Sequence, residues 1–506
     1  MSSNHNYDSE LCGKVPIHLI NTIQPYGVLL VLSRSLSSLG VIQASENAAE
    51  IFGVSVQEFI GSSIGSYLEA QDFAFLGQIA AGRNTNKIPL VWSILGKKYL
   101  SLVHIKNDFI LAELWLEPYQ DEIQRSFVSI YQEIKYSMAL IEGAASITEV
   151  CAIATRELKR ISGFDKVMIY RFDKEWNGTV ISEEREDDME SYFGFTFPAS
   201  DIPRQARELY LRNSYRFIPD RTYQPVKLYP VINPSTQTFI DLSDCNVRGI
   251  VAVHLEYLAN MGVTASMSTR ILNNDQLWGL IACHHKTARS FSFELCSVFE
   301  LFSNVLSARM QSLQNKEKHD ADTRVRDIYN RLVEQVYLAG DIRNGLLEGD
   351  STVLQLFAAQ GAVITGNGQL YTKGVLPDRD SLDELILWLH TRRLNKALFS
   401  DHLSGHFDRA ARYMDYASGV LAIPFRPEQE GYLLLFRAEV KKVIDWGGDP
   451  GGRIVYEKDG LNYHPRHSFK VWRQTVDGTC LPWQEEEIAV ADTLRSFLYE
   501  YTSKKT

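Results

Sequence analysis

From residue 291 to residue 339 the chain runs through 49 positions without a glycine or a proline. A stretch free of both helix breakers has little reason to stop being helical once started. Val298, Phe302 and Val305, then Val325, Ile328, Leu332 and Val336, recur at three- and four-residue spacing, which stripes one side of a helix. Between them KEKHDADTR (316–324) is polar on every face. At 1.5 Å per residue a single helix through all of it would reach roughly 70 Å, longer than one domain is wide. The pattern therefore predicts one continuous helix bridging two packed units, in preference to two helices broken at the charged run.

The 506 residues suggest about three domains. With 45% apolar and 23% charged residues the chain can build several cores, which excludes a mostly disordered protein. A net charge of −10 argues against a phosphate-backbone binder, so no nucleic-acid partner is expected. The longest apolar runs, near 26–32 and 277–283, fall far short of the roughly 20 residues that span a bilayer. The polar start (1–10) has no secretory pattern, so no membrane partner or export is expected. Cysteines at 12, 151, 245, 283, 296 and 480 lack CxxC spacing and read as free thiols of a reducing, cytoplasmic setting.

Along the chain, 24–42 reads as two apolar strands around a Ser-rich turn. ASENAAEIFG (44–53) reads as a helix capped at Ser45 or Asn47 and stopped at Gly53, and IPLVWSIL, KYLSLVHI and FILAELWL (88–116) as strands. A helical period then runs from about 120 to 162, with Ile134, Met138 and Ile141 on one face. Strands follow at 167–172 and 178–183, a Pro-rich irregular stretch at 197–234, and a strand pair in GVTASMSTRIL and QLWGLIACHH. Beyond the long helix come a TGNGQLY hairpin (365–371), a WGGDP turn (446–450) and a last helix (484–501) striped by Ile488, Ala491, Leu494, Leu498 and Tyr501. That helix is expected to serve as a dimer strut or as a connection to a further domain.

The residues hold no support for catalysis. Gly366-Asn367-Gly368 lacks the third glycine of a dinucleotide fingerprint and fits a tight turn, and no G-x-S-x-G elbow or HExxH helix occurs. Gly447-Gly448-Asp449-Pro450 departs from a cyclase GGDEF loop at Pro450. His284 and His285, adjacent on a strand, point to opposite faces and cannot easily share a metal ion. What remains is FPASDIPRQARELY (197–210) with Asp201 in a Pro-fixed turn, two arginines (Arg216, Arg248), two histidines on apolar segments (His254, His284), and Tyr170, Tyr210 and Tyr257. Each alone reads as structural. Together they describe a pocket for a large, flat, acidic, conjugated ligand, such as haem or an open-chain tetrapyrrole. A nucleotide fits less well without a glycine-rich phosphate cradle.

The chain resembles the photosensory core of a bacterial phytochrome over essentially its whole length. The resemblance rests on CGKVPIHLINTIQPYGVLL (12–30), PASDIP (198–203), HLEYLANMGVTASMS (254–268), LWGLIACHH (277–285), WGGDP (446–450) and PRHSF (465–469), six motifs in family order. It implies an α+β, three-domain PAS–GAF–PHY architecture with antiparallel sheets flanked by helices and a long helix between GAF and PHY. A figure-of-eight knot would be threaded through a 225–250 lasso. The expected bounds are 1–120 for the N-terminal segment and PAS, 121–315 for GAF and 316–506 for PHY, with a tongue near 440–483.

It also implies a red/far-red photoreceptor carrying biliverdin IXα on a thioether at Cys12, because the alternative attachment position is Val253. Asp201 would offer its carbonyl to the pyrrole N–H groups together with His254, and Arg216, Arg248, Ser266 and Ser268 would hold the propionates. His284 would bond the ring D carbonyl, while Tyr170, Phe197, Ile202, Pro203, Tyr210 and Tyr257 line the pocket. Arg466, Ser468 and Trp446 would belong to a signalling tongue, Arg466 reaching Asp201 in one state and Ser468 replacing it in the other. A homodimer through the long helices and an output domain or response partner are the implied partners. The competing reading is a PAS–GAF sensor of haem or a cyclic nucleotide without photochemistry. Val15, Ile20-Asn21, Tyr26 and Val251 depart from the family pattern.

Overall fold

The structure is a computed structural model that describes residues 16–35, 39–83, 85–117, 127–366, 368–450, 455–456, 463–464 and 469–504. Cys12, Val15, Asn367, Arg466 and Ser468 lie outside the described residues. The chain forms two compact units, one of residues 1–313 and 445–472, the other of 314–444 and 473–506.

The first unit contains two sheets. One has the strand order Thr22–Ile23, Val226–Tyr229, Val41–Ser45, Gly27–Ser33, Phe109–Trp115, Lys97–Lys106, Ile88–Ile94. Alternation along its strands divides the side chains between two cores. Val28, Leu30, Ile110, Ala112 and Leu114 meet Phe52, Phe59 and Trp92, whereas Leu29, Val31, Phe109 and Leu111 meet Leu228, Ile240, Leu242 and Val247 of the 226–250 stretch. The two buried faces account for the unbroken apolar run VLLVL. Gly53 ends the short helix Ala49–Phe52 with φ 70°, as its position predicts. Ser45 is instead the N-cap of the 3-10 turn Glu46–Ala48, with its Oγ taken by the Leu29 N–H at 3.0 Å, and the helix itself starts from Ala48.

The second sheet runs Tyr215–Ile218, Ala265–Asn273, Gln276–His285, Lys166–Phe172, Gly178–Arg185, Thr196–Phe197, Lys442–Gly447, Val471–Val476. One face (Val167, Ile169, Phe217, Met267, Ile281, Cys283) packs on Ile134, Ile141, Val150, Leu158, Val298, Phe302 and Leu306 of the helices behind it. The single helical period expected over 120–162 is in fact two helices, Phe127–Gly143 and Ile147–Ser162. The chain breaks after Gly143, and the Ser146 Oγ restarts it by accepting from the Glu149 N–H at 3.2 Å.

The long helix is continuous over Phe293–Ala339, and Gly340 ends it at φ 65°. Its two apolar stripes serve different cores: Val298, Phe302 and Leu306 belong to the first unit, Leu332 and Val336 to the second. The second unit is a five-stranded antiparallel sheet, Gln369–Gly374, Gly361–Gly366, Gly431–Arg437, Gly419–Arg426, Leu398–Ser400. The last helix, Glu485–Ser503, buries its expected stripe of Ala491, Leu494, Leu498 and Tyr501 in that unit's own core with Leu421 and Leu433.

Candidate functional site

Strand register gathers the polar residues of the second sheet on the face away from its helix-packed core. Arg216 lies opposite Ser268, and Ser268 opposite Ala282. Ser266 lies opposite His284, His284 opposite Lys166, and Leu280 opposite Tyr170. Facing residues of adjacent antiparallel strands share a side, so Arg216, Ser266, Ser268, His284 and Tyr170 project together. His285 falls on the other side, its Nδ1 2.9 Å from the Asp165 carboxylate, as alternation requires.

Two short elements close over this face. Pro203 starts the helix Arg204–Arg212 just after the turn Ala199–Asp201, and Arg207 braces that turn by donating to the Ile202 carbonyl at 2.8 Å. The helix Ala252–Asn260 carries His254 and Tyr257 one turn apart, with their rings nearly parallel and 6.2 Å between centroids. Tyr257 donates to the Asp201 carboxylate at 3.1 Å, and the Tyr210 and Ser268 hydroxyls share a 2.6 Å hydrogen bond. Ile202, Tyr210 and Tyr257 pack around Tyr170, Tyr192, Phe197 and Phe469. Trp446 pairs in parallel with Thr196, and a Cβ on Gly447 would come within 2.5 Å of the Phe197 ring, so only glycine allows this approach.

The 16–24 segment is bonded on both edges by the 226–249 stretch. Thr22 and Ile23 pair with Lys227 and Val226 on one side, while Gly249 donates to Thr22 and Gln24 to Val247 on the other, both at 2.8 Å. Buried Gln24 further donates to the Phe217 carbonyl at 2.9 Å, and Arg248 reaches the Ile17 carbonyl at 2.7 Å.

The electrostatics are unusual for a folded interior. Arg216 and Arg248 line one cavity with Tyr210, Tyr215, Cys245 and Asn246. Burial weakens the hold of both guanidinium groups on their protons, and Arg216 lowers that of Arg248 further. Neither has a carboxylate partner among the described residues, and the Nε of each is buried without a hydrogen bond, as is His284 Nδ1. Burial, then Arg216, holds His254 down at about 3. Burial, then Lys166, does the same to His284, again to about 3. Both imidazoles are therefore neutral at neutral pH, available as a donor and an acceptor each.

Two adjacent unpaired cations with orphaned donors, next to neutral imidazoles and tyrosines, fit a conjugated ligand with two anionic arms. Sequence reasoning missed Arg207, Gln24, Phe469 and Cys245 as parts of this region. Gln24 was signalled by a polar residue between apolar neighbours. Cys245 contributes a thiol to the cavity lining, but burial pushes it well above its ordinary value and keeps it protonated.

Family models match the chain in three consecutive parts: "PAS fold" over 12–119, "GAF domain" over 146–310 and "Phytochrome region" over 325–506. Cyanobacterial phytochrome B of Nostoc sp. (strain PCC 7120) is 35% identical, covering 97% of this chain and 65% of the relative. The bacteriophytochrome of Xanthomonas campestris pv. campestris (strain 8004) is 32% identical over 96% of this chain and 78% of its own length. The chain thus spans somewhat under two thirds of the length of the cyanobacterial relatives it matches, at 63 to 65%. Two relatives of solved structure superpose closely. A bacteriophytochrome from the photosynthetic bacterium R. palustris gives a TM-score of 0.83 at 31% identity, covering 98% of this chain and 99% of that one. The Stigmatella aurantiaca phytochrome photosensory core module gives 0.81 at 32%, with the same coverage. The chain belongs to the phytochrome family, and its domains are those of a PAS–GAF–PHY photosensory core.

Proposed function

We propose that this chain is a red/far-red light sensor that binds biliverdin IXα covalently through Cys12. The observation that supports this most is the pairing of half-buried Arg216 with buried Arg248, two cations without a carboxylate partner among the described residues and with orphaned Nε donors. The two propionates of biliverdin would supply the missing charges. Ser266 and Ser268 stand on the same face to donate, Ser268 through an exchange of its bond with Tyr210. His254 and the Asp201 carbonyl would take the pyrrole N–H groups, and His284, with Nδ1 unpartnered, would meet the ring D carbonyl. When bound, the pigment supplies the photochemistry, an isomerisation of the methine bridge between rings C and D.

Every other part of the task falls to the protein. Tyr170, Phe197, Ile202, Pro203 and Tyr257 exclude water around ring D, and Tyr257 holds the Asp201 carboxylate. Phe469 packs edge-on against Tyr257 at 5.3 Å, so the tongue segment senses movement of that ring. Arg466, Ser468 and Trp446 would relay the movement to the PHY domain. The long helices would then carry it, in a homodimer, to an output module or partner.

Mixing the protein with biliverdin tests the reading. A red absorption band that moves reversibly to far-red under illumination supports it, and a band that light leaves unmoved, or no band, overturns it. Denaturing electrophoresis with zinc-induced fluorescence tests the attachment. The Cys12→Ser protein should show no fluorescent band, and a surviving band would shift the assignment to another thiol.

A further inference from the structure

The strand Phe109–Trp115 reads FILAELW, an apolar run with one acid in it. Alternation puts Phe109, Leu111 and Glu113 on the side facing the lasso, while Ile110, Ala112 and Leu114 enter the PAS core. Glu113 is fully buried. An ionised carboxylate in such a place is unfavourable unless donors surround it. Its Oε2 has two, both from the lasso, while Oε1 has no hydrogen bond and burial holds the carboxyl above the usual carboxylate range. The backbone N–H groups of Asn246 and Val247 donate to Glu113 Oε2 at 2.6 and 2.9 Å. Lys87 Nζ stands 3.8 Å from Oε1 and donates to the Asn246 side chain at 2.8 Å and to Asn213 at 3.0 Å.

The remaining groups of Asn246 are held as well. Its side-chain amide donates to the Tyr215 hydroxyl at 2.8 Å, and its carbonyl accepts from the Tyr26 hydroxyl at 3.1 Å. Tyr26 is one of the positions where this chain departs from the family motif. The approach between lasso and PAS sheet is close enough that a Cβ on Gly27 would come within 2.5 Å of Val247. Arg248 follows directly after the two gripped amides and lines the cavity with Asn246 and Arg216.

We infer that Glu113 is a positioning residue for Arg248: a carboxylate from the PAS sheet fixes the lasso backbone at 246–247 and so aims the Arg248 guanidinium at an anionic arm of the GAF ligand. This rests on the proposed reading that Arg248 receives a propionate. Its consequence is selectivity. Loss of the grip weakens binding of a tetrapyrrole with free propionates and spares one whose propionates are esterified, since the ester arms carry no charge for Arg248 to meet.

The test compares biliverdin with its dimethyl ester on the wild-type protein, Glu113→Gln and Lys87→Met, and on Arg248→Met with and without Glu113→Gln. Glu113→Gln should weaken biliverdin binding by about tenfold, as loss of a charge-assisted pair of bonds does, and leave the ester unchanged. Adding it to Arg248→Met should then have no further effect. Equal losses for both pigments, or an additive loss in the double variant, would overturn the inference by showing a merely structural role. If Glu113→Gln does not fold, Lys87→Met removes the cation that favours the ionised acid and should weaken biliverdin binding while sparing the ester, and equal losses for both pigments would again overturn the inference. A second readout needs no pigment. Amide hydrogen exchange at 246–248 should quicken in Glu113→Gln, and unchanged protection there would sink the grip itself. Failure of the wild-type protein to bind biliverdin would instead overturn the proposed function, and the exchange result would still decide the grip.

Discussion

Two buried arginines solve the same electrostatic problem differently. In the PHY unit Arg437 is almost fully enclosed, and the same interior supplies its counter-charge. It donates to Glu487 at 2.5 Å, to the carbonyls of Phe357 at 2.7 Å and Pro482 at 2.9 Å, and lies 3.8 Å over the Trp483 ring. In the GAF domain Arg248 is similarly enclosed, but its described partner is one carbonyl, that of Ile17, and the charge that acts on it most is another cation, Arg216. A buried cation with its own acid is a structural fastener. A pair of them without one is a site waiting for charge from outside, because nothing in folding alone offsets their desolvation.

The largest expected effect breaks the first half of that comparison. Glu487→Gln leaves Arg437 buried without its acid and should destabilise the protein by about 3 kcal/mol, in the range for breaking a buried pair. Urea denaturation followed in the PHY unit would measure it, and a loss below about 1 kcal/mol would show Arg437 to be satisfied by its carbonyls alone. Arg216→Met should act with the opposite sign. In pigment-free protein it removes an unpaired, half-buried cation and should be neutral or stabilising by about 1 kcal/mol, while weakening biliverdin binding. Destabilisation of the pigment-free form would mean that Arg216 is a fastener after all.

The same contrast explains what the sequence could reveal. The long helix was legible because 49 residues without Gly or Pro carry their own evidence. The GAF face was partly legible, because alternation puts His284 and His285 on opposite sides of their strand, while the family motif supplied which of them turns toward the ligand. The break at 144–146 was not, since GAAS carries no proline and Ser146 acts only through a local cap. Glu113 was hidden for a deeper reason. In FILAELW it looks like an exposed lapse in a strand, and its donors lie 133 and 134 residues away on the lasso. The last helix shows the limit of such a pattern: an apolar stripe states that a partner exists, not whether it belongs to the same chain.

A smaller effect sharpens the comparison through pH. His254 and His284 sit beside the unpaired cations and are held at about 3, against about 6.5 in an unfolded chain. Between those values the unfolded chain takes up protons that the folded one refuses. The stabilising contribution is therefore complete above about 6.5 and is lost as pH falls toward 3. Denaturation midpoints of pigment-free protein should drop steadily from pH 7 to pH 5, and His284→Gln should flatten part of that slope. An identical slope in the variant would mean that other groups carry the acid sensitivity.

The smallest effect concerns Val251, where the family often has serine. Val251 is the N-cap of the helix Ala252–Asn260, in extended backbone at φ −65° and ψ 141°, and it has no side-chain cap. A serine there fits the backbone without strain and can accept a first-turn N–H, worth about 0.5–1 kcal/mol. Against this stands the loss of a half-buried Val side chain, so the net gain should lie at the lower end. Val251→Ser should thus raise the pigment-free stability slightly. If the new hydroxyl turns instead toward the Arg248 cavity, stability stays level and biliverdin binds a few-fold more tightly, in line with one added hydrogen bond. Measuring both quantities on one variant separates the cap from the ligand contact. A loss in both would show that the apolar contact of Val251 outweighs either use of the hydroxyl, and that the departure from the family pattern is a packing choice.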